Sequence, residues 1–421
     1  MTNDADVLIV GGGPAGASTA FQLARRGFRV RVLERARFPR PKPCAECLSP
    51  EASRILHHMD ALRELETRGA WLRGMIVRAP NGISARGDYA ASHGFRAFRD
   101  AGLSIRREVL DDVLLRCART AGAEVLERNR VTDVVLDRDR SVRGVTVMSA
   151  SGRRSEMLAS VVIGADGLRS VLARRLGLAR TMAWPHRISL VAHYRDVRDV
   201  TEYGEMHVER DGFVGVADVG DGVTTVAAVF PRQRARELSG DRSGFLDRWL
   251  LSKPHLARRF ERATRDGGSA ATAVGPFASH ARRAWHPGLL LVGDAADFFD
   301  PFTGEGIYSA LRGGELAASA VAQALGGDTR QMVRSFRDYD RARREEFSGK
   351  WWVERFIGAG VASPMLVNRA ARALAGDKNL ADLLVGVTGD FVPSSQVLRL
   401  GFLAQLFVLP VAVRGATPPC P

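Results

Sequence analysis

An apolar strand running straight into a glycine turn, two later apolar strands ending in Asp-Gly and Gly-Asp, and a block of alternating segments between them predict an α/β protein. The pattern is that of a doubly wound nucleotide-binding domain interrupted by an antiparallel β-sheet substrate domain, with a helical region at the C-terminal end. At 421 residues the chain has material for at least two lobes. A composition 45% hydrophobic and 26% charged, with mean hydropathy −0.10, excludes bulk disorder.

The first element is the run 6–10, Asp-Val-Leu-Ile-Val, followed at once by Gly11-Gly12-Gly13-Pro14-Ala15-Gly16 and a helical stretch to Arg26. Gly11 permits a tight turn, Gly13 lets backbone approach a pyrophosphate, and Gly16 allows close packing of helix on strand, while the helix N-terminus offers positive potential. Gly27 ends the helix. Residues 29–33 give a second strand closing on Glu34, about 20 residues past the glycines, where a carboxylate can accept ribose hydroxyls. This is a Rossmann-like signature, and it serves NAD and FAD alike.

Residues 161–167, Val-Val-Ile-Gly-Ala-Asp-Gly, form a further strand continuing into a helix to Leu176. Residues 289–296, Leu-Leu-Leu-Val-Gly-Asp-Ala-Ala, form another, followed by Pro301-Phe302-Thr303-Gly304-Glu305-Gly306-Ile307. Thr303 is placed to cap a helix whose first amides come from Gly304, Glu305 and Gly306, an end that attracts negative charge.

Between these motifs, residues 180–275 alternate at 188–194, 205–208 and 223–230 and read as an antiparallel sheet. His186, His193 and His207 fall there without ligand pairing and read as structural or solvent-facing. Beyond Ser309 the pattern is helical through Phe347. Trp351, Trp352, Val353, Phe356 and Ile357 continue an apolar face, and 366–406 reads as a helical cap, with a peripheral membrane face as the sharper alternative. The boundaries are 1–75, 100–178 and 272–340 for the nucleotide-binding domain, 76–99 and 179–271 for the substrate domain, and 341–421 for the cap.

The 61 basic residues against 47 acidic ones give a net charge of +14, but 57 of the 61 are arginines scattered among acids. That is a compositional bias rather than a nucleic-acid footprint. Cysteines 44, 47, 117 and 420 are too few for a disulfide framework, and Cys44-Ala45-Glu46-Cys47 lacks the second ligand pair of a zinc site, so no metal is expected. With no signal-peptide pattern, and an apolar stretch at 398–413 too short to span a bilayer, a cytoplasmic protein is expected, with peripheral contact at the inner face of the membrane as the alternative.

The three motifs, in this order and approximate spacing, resemble the flavoprotein superfamily of p-hydroxybenzoate hydroxylase over about 1–340. The resemblance implies FAD. It places Asp294 on the ribityl chain, Arg107 of the run 107–111 near the flavin phosphates or ribityl, and Asp166 in a motif supporting FAD and the nicotinamide donor. The implied cofactor-binding set is Gly11, Gly13, Ala15, Gly16, Glu34, Arg35, Arg107, Asp166, Gly293, Asp294, Pro301, Gly304, Gly306 and Ile307. No second Gly-x-Gly-x-x-Gly follows a strand, so NAD(P)H or another electron donor is expected to visit transiently.

The loop 37–50, Arg-Phe-Pro-Arg-Pro-Lys-Pro-Cys-Ala-Glu-Cys-Leu-Ser-Pro, is similar to that of the geranylgeranyl reductase family, flavoenzymes that reduce double bonds of isoprenoid chains. Ala45 and Cys47 stand where that family has glycines, Asp297 replaces a common glycine, and no Tyr-x-Trp-x-Phe-Pro appears. The resemblance implies an FAD-dependent oxidoreductase acting on a small hydrophobic substrate, with Cys44 and Cys47 as catalytic candidates. The rival is an FAD-dependent monooxygenase that hydroxylates or epoxidises a natural-product intermediate through a flavin C4a-hydroperoxide. Minor alternatives are a flavin halogenase, which shares Lys42 and Glu46 in its loop, and a non-catalytic binding protein of the same fold.

Overall fold

The computed structural model describes residues 3–408 apart from 183, 185 and 305, and apart from the side chains of 238 and 239. Glu305, Cys420 and the Ala/Pro-rich tail after Gly415 therefore lie outside the described residues.

The strand Ala5–Val10 is the centre of the nucleotide-binding sheet. It pairs in parallel with Val30–Leu33 on one side and with Arg154–Gly164 on the other, and Glu124–Leu126 and Leu289–Leu291 extend the two flanks. Val7, Leu8 and Ile9 are wholly buried, which is why the strand is continuously apolar: helices or loops cover both faces. The helix Pro14–Ala24 packs so tightly on Gly306–Leu325 that a Cβ at Gly314 would lie 2.8 Å from the Ser18 side chain, whose Oγ donates to the Leu311 carbonyl at 2.8 Å.

The second lobe is an eight-stranded sheet. Its main path runs Thr264–Arg265, Arg187–Arg195, Val223–Pro231, Gly212–Asp218, Tyr203–Glu209, Gly74–Arg78, Ser84–Asp88, and Thr272–Val274 also pairs with Arg187–Arg195. All its pairs are antiparallel except the junction of Tyr203–Glu209 with Gly74–Arg78. Residues 180–275 are not sheet throughout. Two helices, Arg242–Leu251 and Pro254–Phe260, cover one face, with Trp249 and Phe260 packed on Tyr194 and Phe230. Asp241 caps the first, accepting from the Gly244 amide at 2.8 Å, and Pro254 opens the second.

The helix Thr329–Val361, capped by Asp328, crosses residue 341 without a break, so the cap shares an element with the nucleotide-binding domain. Its first half is anchored by the Tyr339 hydroxyl donating to the Leu291 carbonyl at 2.7 Å. Its second half joins Pro364–Gly376, Lys378–Thr388 and Leu400–Phe407 in a separate core. That core closes on the outer strand of the sheet, where a Cβ at Gly87 would come within 2.6 Å of the Ala381 carbonyl. No helix among the described residues is long and apolar enough to cross a membrane.

Candidate cofactor and active site

The turn after Ala5–Val10 is built around two enforced contacts. Gly11 has φ +105°, and its Cβ would fall 2.4 Å from the Ala165 carbonyl oxygen; a Cβ at Gly16 would fall 1.9 Å from the Gly11 oxygen. Strand, turn, helix and the Asp-Gly loop thus meet at backbone distance. Gly13 differs, since its Cβ would meet only the Arg40 guanidinium, at 3.7 Å. Gly13 is also the N-cap of Pro14–Ala24 and offers no side-chain acceptor to the helix amides. Ala15 is buried and packs on the third motif, where a Cβ at Gly293 (φ +57°) would lie 2.9 Å from its own.

Glu34 is buried at the end of its strand, with Oε2 accepting from the Gly12 amide at 2.8 Å and Oε1 from the Ala36 amide at 2.9 Å. It ties the glycine turn to the second strand, and its neighbour Arg35 is exposed. Sequence reasoning missed Arg40, which stands over the turn between Glu34 at 4.0 Å and Asp111 at 3.2 Å, its guanidinium stacked 4.7 Å from the Phe38 ring. The signal was the Phe38-Pro39-Arg40 run. Arg107 is buried, and both its Nε and its second terminal nitrogen donate to Asp111 at 2.8 Å. Against the cost of burial, the Asp111 carboxylate holds the Arg107 pKa above its ordinary value. Its guanidinium is thus committed to Asp111, a partner the sequence reading did not assign.

The loop 37–50 lies along this site. Lys42 Nζ is 3.7 Å from Asp294 Oδ2. The Glu46 amide donates to Cys44 Sγ at 3.4 Å, and the Cys47 thiol donates to the Ala45 carbonyl at 3.4 Å. Both cysteines are free thiols. Burial pushes the Cys47 pKa up to about 12, so it keeps its proton at any physiological pH. Glu46, at φ +65° and 2% exposed, accepts from the Arg107 amide at 2.8 Å and lies 2.7 Å from His193 Nε2 on the substrate sheet. His193 therefore contacts the cofactor loop rather than solvent alone. His207 is also buried, against Glu205 at 2.8 Å.

Asp166 Oδ2 accepts from the Val171 amide at 2.6 Å; Oδ1 is buried with no hydrogen-bond partner, and burial pushes the carboxyl pKa up. In the third motif, the Thr303 capping expectation is not met. Residues Pro301–Thr303 form a 3₁₀ turn whose N-cap is Asp300, accepting from the Phe302 amide at 3.0 Å, and Gly304 then turns left-handed at φ +74°. The Thr303 hydroxyl is buried and unpartnered. Gly306 and Ile307 open the long helix that follows, with Ile307 in the core. Asp300 is itself buried, 2.5 Å from Arg187, whose guanidinium also donates to the Gly358 carbonyl at 2.9 Å. The loop at Asp300, the eight-stranded sheet and the helix Thr329–Val361 therefore meet at one ion pair. Asp297, where the reductases commonly have glycine, is engaged by His280 at 3.0 Å and by Arg343; despite burial they hold its pKa below the usual carboxylate range.

These residues fit FAD. A helix end lacking a side-chain cap, an open approach at Gly13 with a guanidinium beside it, and the orphaned oxygens of Asp166 and Thr303 are groups a dinucleotide would satisfy. Among the described residues no cluster of three or more His, Cys, Asp or Glu is arranged to hold a metal. Fold and site together define an FAD-dependent oxidoreductase of the Rossmann-plus-sheet type.

The chain belongs to the FAD binding domain family, whose model matches residues 4–346. It is 30% identical over 356 residues to the digeranylgeranylglycerophospholipid reductase of Methanosarcina mazei, covering 82% of this chain and 82% of that protein. It is 27% identical over 407 residues to conditioned medium factor receptor 1 of Dictyostelium discoideum, covering 91% and 76%. Among solved structures, a myxobacterial FAD-dependent chondrochloren halogenase matches with a TM-score of 0.77 and 23% identity over 96% of this chain and 90% of that one, a shared fold.

Proposed function

We propose that this chain reduces carbon–carbon double bonds in an isoprenoid hydrocarbon. The observation that carries the reading is the loop 37–50, which resembles that of the geranylgeranyl reductases and folds along the cofactor site: Arg40 beside Gly13, Lys42 at Asp294, and Cys44 and Glu46 at Arg107. Its likeness to digeranylgeranylglycerophospholipid reductases supports the same substrate class. Bound FAD, reduced by NAD(P)H or another donor, would supply the hydride. The chain's own residues have three tasks. Gly13, Glu34, Arg40 and Asp294 bind and orient the dinucleotide. Phe302 and Phe213, with ring centroids 5.0 Å apart, keep water from the flavin-side loop. Cys44, the family-based candidate, shapes the site where a nearby acid protonates the second alkene carbon, with Cys47 as a neutral neighbour.

A second reading, halogenation or oxygen insertion, draws on Lys42, which the loop shares with flavin halogenases and which reaches the cofactor-site carboxylate Asp294. One experiment separates the two. Enzyme reduced anaerobically and given a geranylgeranyl lipid yields a product heavier by two hydrogens. Turnover only in air, with a product carrying an added oxygen or, when halide is supplied, a halogen, overturns the reductase reading.

A further inference from the structure

The helical cap carries a surface that its fold does not explain. Trp352 is 61% exposed and Phe356, one turn on, lies beside it on the helix Thr329–Val361. The Phe356 ring meets Phe407 at 5.5 Å, which brings in the helix Leu400–Phe407, where Leu400 is 85% exposed. Met365, at the start of Pro364–Gly376, is 77% exposed. Isolated exposed apolar side chains need no explanation, but this density, on three helices of one subdomain, marks an interaction face.

Charge says what kind of face it is. Residues 355–376 and 391–408, which carry all of these side chains except Trp352, contain no Asp or Glu; their charged residues are Arg355, Arg369, Arg372 and Arg399. Arg369 donates to the Phe407 carbonyl at 3.4 Å, so one of these cations sits at the aromatic pair itself. Exposed Phe, Met and Leu on stretches whose only charges are arginines, next to Trp352, are the chemistry of an anionic lipid surface, where apolar side chains enter the acyl boundary and arginines meet phosphate. It opposes a second copy of this chain, because a two-fold contact would set like charges face to face.

The same face lies one layer from the loop at Asp300. The Arg355 guanidinium stacks between Trp352 (5.5 Å) and Phe299 (5.4 Å), and Phe299 precedes Asp300, the cap of Pro301–Thr303. Beside it, a Cβ at Gly358 would be 3.7 Å from the Trp184 ring, which lies 5.9 Å from Arg187, the partner of Asp300.

We propose that the cap docks this face on an anionic phospholipid bilayer, which would bring the chain to a lipid-resident hydrocarbon; the docking deepens the reductase reading and rests on it for its purpose. The test is flotation of the FAD-loaded full chain, without turnover, on vesicles of phosphatidylcholine alone or mixed with phosphatidylglycerol. The wild type is expected to float with the anionic vesicles and far less with the neutral ones. Trp352→Ser combined with Phe356→Ser and Leu400→Ser is expected to lower partitioning by roughly tenfold or more with flavin content and Tm unchanged, and Arg372→Glu with Arg399→Glu to lower it most at low salt. A wild type that stays with the soluble fraction overturns the proposal. So does a triple variant that floats like wild type, or a wild-type dimer that the triple variant splits and that binds no vesicle. Flotation is read without substrate, so an enzyme that floats but does not reduce alkenes refutes only the reductase reading.

Discussion

Oε2 of Glu46 and Nε2 of His193 lie 2.7 Å apart across the boundary between the nucleotide-binding domain and the substrate sheet. The same carboxylate holds the Arg107 amide through Oε1, so one buried side chain fixes the loop, the start of the helix Arg107–Thr120 and the strand Arg187–Arg195. A second link, Arg106 and Arg195 on Asp266 at 2.8 and 2.7 Å, runs beside it. Glu46→Ala leaves the Arg107 amide and His193 without their acceptor. A loss of about 1–3 kcal/mol is expected in urea denaturation, with weaker FAD retention. Glu46→Gln, which keeps an amide oxygen for Arg107, should lose less, and a double-mutant cycle with His193→Ala should show coupling.

The glycines of the first motif separate packing from ligand approach. A Cβ at Gly16 would sit 1.9 Å from the Gly11 oxygen, so Gly16→Ala is expected to lower Tm by several degrees whether or not flavin is present. Gly13→Asp meets no backbone, yet sets a carboxylate at the phosphate approach beside Arg40. Its expected outcome is a folded, colourless protein: circular dichroism as wild type, flavin absorbance lost. Retained pigment in Gly13→Asp would place the dinucleotide elsewhere.

Asp300→Ala should be among the costliest single changes. It strands the buried Arg187 guanidinium with only the Gly358 carbonyl in its former place, and roughly 3–5 kcal/mol is expected in denaturant titration.

That ion pair also shows what the sequence does and does not disclose. Residues 6–16, 161–167 and 289–294 are legible because their signal is local: an apolar run with both faces covered, then glycines at fixed steps. Arg187 and Asp300 are 113 positions apart, and Glu46 and His193 147; each is an ordinary charged residue until the fold joins them. Arg107 is a different case. Its partner Asp111 is four residues away, within reach on one helix turn, while the family resemblance speaks only of the flavin phosphates or ribityl and says nothing of this pairing. Thr303 failed for a local reason, since Asp300 caps first and the chain spends Pro301–Thr303 in a 3₁₀ turn before the helix begins. Helices 242–251 and 254–260 were obscured by the alternating strands around them, although Asp241 and Pro254 were readable start signals.

The two loop thiols should be chemically unequal. With its pKa pushed up to about 12 by burial, Cys47 has almost no thiolate at neutral pH. Brief iodoacetamide treatment at pH 7.5 followed by peptide mapping should leave Cys47 unmodified in the folded protein and modify it after denaturation. Cys47→Ser should keep flavin binding and turnover within about threefold of wild type, since the site then asks of it only a small, protonated neighbour; rapid labelling or abolished turnover would make Cys47 chemically active.

Stability should also fall with acid in a window set by His255. Its ring stacks 5.2 Å from His207, and burial, followed by Arg78, His207, Arg259 and Lys253, lowers its pKa from 6.5 to about 4. Between those values the unfolded chain binds a proton that the folded one refuses. The stability this group contributes therefore rises with pH through the window and is lost as pH falls from 6.5 toward 4. Glu205, held low by His207 and Arg259 against burial, adds to the loss at the acid end, while Glu209, raised by burial, opposes it. His255→Gln removes one contribution and leaves the carboxylates in place. Urea midpoints measured at about pH 4.5 and 7.5 should differ less in His255→Gln than in wild type; an unchanged or larger difference would show that His255 is protonated in the fold.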